Sequence, residues 1–118
     1  FLEAPLSIAR AVIYRETTLV ALDEPVAEVA TVAKRDLSPG ERLDNFGGYT
    51  FRGLNMQAEQ LYRNNTLPVG LAPGARVVKK VSSGELLTWE DVELDESSPL
   101  VRLRRAQDKI DLERLGLA

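Results

Sequence analysis

No cysteine and no histidine occur anywhere in the chain. Without cysteine there are no disulfides, no thiolate nucleophile and no cysteine metal site. Without histidine the commonest general base and the commonest metal ligand are both missing, so a Ser-His-Asp or Cys-His machine cannot be built within this chain. A magnesium or calcium site made of carboxylates alone stays open, but no loop signature marks one. No apolar run approaches the roughly 20 residues that cross a bilayer, and no signal peptide is legible. Gly47-Gly48 is no phosphate loop, lacking the Gly-Lys-Ser/Thr ending and a helix opening directly after it. The Gly-x-Gly-x-x-Gly dinucleotide fingerprint is absent too. A net charge of −3 gives no broad footprint for nucleic acid or a membrane surface.

What is there fits one soluble globular domain: 118 residues, 44% apolar and 28% charged. Such a length buries a modest but sufficient core. Organisation comes from a stretch written twice. Lys34-Arg35-Asp36-Leu37-Ser38-Pro39-Gly40-Glu41-Arg42-Leu43 reappears as Val78-Lys79-Lys80-Val81-Ser82-Ser83-Gly84-Glu85-Leu86-Leu87. Leu37/Val81, Ser38/Ser82, Gly40/Gly84, Glu41/Glu85 and Leu43/Leu87 align without a gap. Two copies are too few for a solenoid and predict a pseudo-symmetric pair of hairpins folded on each other. Gly in each turn supplies a positive φ, and the flanking Leu37, Val81, Leu43 and Leu87 point into a shared core.

Along the chain, residues 1–16 predict a helix with Pro5 in its first turn and Leu6, Ala9 and Ile13 on one stripe. Thr17–Leu22 is β-prone until Asp23-Glu24-Pro25 stops it, and Val26–Ala33 predicts a well-buried strand. Phe46–Gly53 predicts loop, strand and loop, with Tyr49 and Phe51 on one face and Arg52 solvated on the other. A short helix is expected over 55–64 with Asn55 as its cap, then a turn at Asn64-Asn65. Ala72-Pro73-Gly74 turns into a strand over Ala75–Lys80, Thr88 caps a single helical turn, and Val92–Leu94 forms a last short strand. Ser98 and Pro99 open a final helix. Its expected core stripe is Leu100, Leu103, Ala106 and Ile110, with Arg104–Asp108 and Asp111–Arg114 pairs on the wet side and an end near Gly116.

Polar candidates cluster at the repeat. Lys34, Arg35 and Asp36, with Lys79 and Lys80, precede the two turns at equivalent places and would converge near the pseudo-twofold axis, where basic pairs hold a carboxylate or phosphate. The competing reading makes them solvated strand ends with Asp36 paired locally. Arg52, Arg63 and Asn64 form a second set on the insertion between the copies, facing either a substrate in a neighbouring domain or solvent. The basic run Arg102, Arg104 and Arg105 has acids nearby, which favours surface pairing over nucleic-acid binding. Trp89 reads as a lid on the small core.

The repeat, with Trp89-Glu90-Asp91-Val92 after its second copy, resembles the SAF (antifreeze-like) domain over about Val26 to Leu94. More narrowly, Glu28–Gly53 with Leu67–Leu103 is similar to the SAF domain at the C-terminal part of homoserine-dehydrogenase-like and reductoisomerase-like NAD(P)-dependent oxidoreductases. The resemblance implies a mainly β fold with flanking helices, a β-clip of two pseudo-symmetric hairpin units. It divides the chain into a connecting helix and strand (1–25), the β-clip (26–95) and a terminal helix (96–118). It implies a non-catalytic accessory role, with no cofactor held in this stretch and NAD(P) bound by an upstream dinucleotide-binding domain of a cytoplasmic parent. The start at Phe1, with Met56 the sole methionine, adds the expectation of a piece of that larger enzyme. SAF domains also serve as substrate lids in sugar-acid dehydratases and sialic acid synthases, where Lys34, Arg35 and Lys79 would meet an anionic sugar acid, and as chaperone-like assembly domains. Apolar terminal helices add a homodimer to the expected partners.

Overall fold

The computed structural model describes residues 3–20 and 22–117. Two small antiparallel sheets with flanking helices make up the fold. The larger sheet pairs β1 (Ala27–Ala33) with β2 (Phe51–Gln57), in one unbroken register from Ala27↔Gln57 to Ala33↔Phe51. The smaller pairs β3 (Arg76–Val77) with β4 (Val92–Glu93). Helix α1 (Ala4–Ala9) runs on through a π-helical turn (Arg10–Tyr14) that ends at Arg15 in the left-handed region. Helix α2 is Ala58–Arg63 and α3 is Pro99–Arg114.

The two copies of the turn interlock. Gly40 N–H donates to the Val77 carbonyl at 2.8 Å, and Gly84 N–H, 44 residues on, donates to the Ala33 carbonyl at 2.8 Å. Leu43 N–H reaches Ala75 as Leu87 N–H reaches Thr31, and Val77 N–H reaches Glu41 as Ala33 N–H reaches Glu85. Leu37 and Val81 exchange both bonds, at 2.8 and 3.1 Å. Neither copy therefore closes as a hairpin on itself; each strand pairs with the return of the other copy. That exchange encloses the core, with Leu37, Leu43, Phe51, Leu67, Val77 and Leu87 all at most 2% exposed.

Local signals set many boundaries. Gly40, Gly74, Gly84 and Gly116 have positive φ, as does Asn65. Thr88 and Asp91 form a capping box around the Trp89–Asp91 turn. Pro99 opens α3 after Ser98, whose side chain makes no capping hydrogen bond.

Other expectations are corrected. Within Thr17–Leu22 the described residues form no strand, and Ala21 lies outside the described residues, as do Phe1, Leu2 and Ala118. β1 is buried only from Ala30 onward, where the second copy covers it; Val26 remains 67% exposed. Asn55 caps nothing: it pairs with Val29 in the ladder, and α2 starts three residues later. Tyr49 does not share the face of buried Phe51, because the strand begins only at Phe51 and the Tyr49 N–H is captured by Asp44. Past Val77 the predicted strand leaves the ladder, so Lys79 and Lys80 lie outside it.

The largest correction concerns α3. Leu100, Leu103 and Ile110 are 58%, 70% and 51% exposed, and Ala106 is exposed beside them. The face turned inward carries Val101, Arg104, Asp108 and Asp111. Arg104–Asp108 is thus on the dry side, and Arg114 bonds the Asp23 carbonyl in place of Asp111.

Candidate functional site

The turn residues sit where the copies cross. Lys34 N–H donates to the Thr50 carbonyl at 3.0 Å, which fixes the backbone, while its ammonium donates to the Gly48 carbonyl. The Arg35 guanidinium donates to Glu41 at 2.7 Å and to the Asp36 carbonyl at 2.8 Å. Glu41 also accepts the Ser38 N–H at 2.9 Å; the bond from Arg35 and then that from Ser38 hold its carboxyl below the ordinary glutamate value. Asp36 accepts the Ser83 N–H of the other copy at 2.8 Å, and the Ser83 hydroxyl donates to the Lys34 carbonyl at 3.1 Å. Lys34, Arg35, Asp36 and Ser83 are therefore one local cluster. Lys79 belongs elsewhere, donating to Glu90 at 2.9 Å, and Lys80 is exposed. No hydrogen bond or ion pair among the described residues joins the two basic pairs across the axis.

Among the described residues no hydrogen bond joins Arg52, Arg63 and Asn64 of the second predicted set. Arg52 is exposed on β2. Arg63 donates twice to Glu59 within α2, at 2.9 and 2.7 Å, and Asn64 closes that helix with its N–H on the Gln60 carbonyl. Trp89 packs on the core beneath the Arg105 guanidinium, which lies 4.6 Å from its ring centroid.

The loop before β2 is built around Asp44. Its carboxylate accepts the Tyr49 N–H at 2.5 Å and the Thr50 hydroxyl; the Thr50 bond first, then the Tyr49 bond, push its pKa down. A Cβ on Gly48 would run into that carboxylate, so any other residue here must displace the Asp44 side chain.

Sequence reasoning missed the polar seam under α3. Arg104 reaches Glu28 of β1 at 3.1 Å and Asp108 at 2.6 Å, with side chains 12–18% exposed. Its guanidinium also lies 5.8 Å from the Tyr62 ring centroid. The Tyr62 hydroxyl donates to Asp111 at 2.8 Å; burial first, then that bond, raise its pKa. The spacing 101, 104, 108, 111 is itself helical, a signal hidden by looking only for apolar residues. Beside the seam lies an apolar groove of about 430 Å³, lined by Val29, Val69, Leu100 and Leu103, with Arg104 and Gln107. Among the described residues, no three acidic side chains are grouped to hold a metal, and no helix is long and apolar enough to cross a membrane. No family model matches the chain, and no curated protein matches it at a significant level.

Proposed function

We propose that the chain is a non-catalytic accessory domain of SAF type, its interlocked copies forming a β-clip. In this reading it helps to close or assemble the active site of a homoserine-dehydrogenase-like NAD(P)-dependent oxidoreductase in the cytoplasm. Its partner is an upstream dinucleotide-binding domain of the same parent, which carries the NAD(P). The observation that supports the reading best is the reciprocal bonding of the two turns, each strand completed by the other copy. The state of the basic candidates favours it over an anion-holding lid for sugar acids. Arg35 and Lys79 each already face a carboxylate of this chain, Glu41 and Glu90.

Titrating the purified chain with NADPH, followed by nicotinamide fluorescence, gives no binding on this reading. Micromolar affinity would overturn it. A thermal-shift screen with hexarates gives no stabilisation; a shift abolished by Arg35→Ala would favour the sugar-acid lid. Sequencing the coding region ahead of Phe1 checks the parent: a Gly-x-Gly-x-x-Gly turn after a predicted strand is expected there, and an unrelated domain refutes the oxidoreductase assignment.

A further inference from the structure

Among the described residues, two apolar helical faces are left largely exposed, one on α1 and one on α3, with only Leu22 and Pro25 of the chain's own connecting segment flanking the second of them, in a cleft beside Leu103, Ala106 and Ile110. The inward side of α3 is an ion-paired seam, while Leu100, Leu103, Ala106 and Ile110 face out beside the groove against β1. A helix that buries its charges and exposes its leucines is arranged for a second interface. At the other end of the chain, α1 and its π-helical continuation bury no residue, and Leu6, Val12 and Ile13 are 62%, 72% and 68% exposed.

The sizes match what a second copy would cover. The accessible surface is 8196 Å², whereas a compact monomer of this mass exposes about 6,400 Å². The excess of roughly 1,800 Å² is more than the ~800 Å² that each partner contributes to a standard dimer interface. The radius of gyration, 17.6 Å, likewise exceeds the ~13 Å of a compact domain of this length. Residues 4–14 as a helix span about 16 Å, and the α3 stripe from 100 to 110 spans about 15 Å. Arg114 ties the arm to the end of α3 at Asp23, and residues 15–22 beyond that tie reach up to ~27 Å.

We infer that the second occupant is another copy of this chain, the helical arm of each protomer lying along the α3 stripe of its partner. The contact is isologous, so one twofold covers both exposed faces of both copies. This goes beyond the accessory-domain reading and does not depend on it.

Sedimentation velocity of the chain at micromolar concentration is expected to show a dimer. Ile13→Glu on the arm and Leu103→Glu on the stripe should each weaken it roughly 100-fold. Unchanged circular dichroism and melting are the controls, since neither side chain reaches the core. Because the chain has no cysteine, Ala9→Cys and Ala106→Cys can be placed in separate copies and mixed. A disulfide dimer formed by the mixture, above the level of either variant alone, supports the exchange. A monomer at every concentration overturns it. So does a disulfide that forms within one chain of the double variant, or a dimer indifferent to both glutamates. A monomer whose stripe instead captures a separately supplied dinucleotide-binding domain also overturns it and hands the surface to that domain.

Discussion

In the first copy of the turn, Glu41 is held by the Ser38 amide and by Arg35. In the second, Glu85 is held by the Ser82 amide at 2.7 Å, while the equivalent basic residue, Lys79, turns to Glu90. Position 39 is Pro; its counterpart Ser83 bonds back across the axis to Asp36 and Lys34. The backbones nevertheless agree: Gly40 and Gly84 have φ of 93° and 85°, and the bonds made by Gly40, Leu43 and Val77 recur at Gly84, Leu87 and Ala33. The comparison separates what the turn needs from what decorates it. A glycine, a glutamate facing back to the serine amide and an apolar neighbour suffice for the shape. The outer charges diverge without disturbing it.

The largest break should come from the apolar neighbours, which are buried and hydrogen-bonded to each other across the copies. Leu37→Ala is expected to cost about 3 kcal/mol and Val81→Ala about 2, from lost burial and the cavity left behind. Urea unfolding checks this, and costs that sum independently in the double variant would deny the coupling of the copies. Next come the glycines. A Cβ at either one meets nothing within 4 Å, so the penalty is conformational. Gly40→Ala and Gly84→Ala should each cost about 1–2 kcal/mol, and nearly equally. A twofold difference would mean that the turns are less alike than their bonds.

The smallest effect sharpens the difference between the copies. Glu41 is depressed in the folded state, so its contribution is present above the ordinary glutamate value of about 4.3 and is lost as pH falls through the lower, folded value. Glu41→Gln should therefore lower the melting temperature at pH 7 and leave it nearly unchanged near pH 2. Melts across that range test it, and an equal penalty at both ends would remove Arg35 and the charge from the account.

A second contrast lies in the two faces of α3. Leu100, Leu103 and Ile110 recur at helical spacing, and that spacing identified a stripe without saying which way it points. Arg104 turned inward because Glu28 awaits it on β1 and Tyr62 on α2, so that its burial is compensated. The candidate residues divided in the same way. Basic residue types before each turn were legible, as were the turns themselves. Glu41, Glu90 and Glu59 as the partners of Arg35, Lys79 and Arg63 were not.

From the residues alone came the features whose causes lie within a few positions. These are the repeat, its positive-φ glycines, the Thr88 cap, the left-handed Asn65 and the limits of α3. Tertiary structure decided the exchange of strands between the copies, the start of α2 and the side on which α3 hides its charges. Those outcomes rest on bonds between distant residues: Arg104 meets a carboxylate 76 positions away, and Gly40 a carbonyl of the opposite copy. Local preference carries no record of such partners, because a buried charge or amide is tolerated only where the rest of the fold brings its complement.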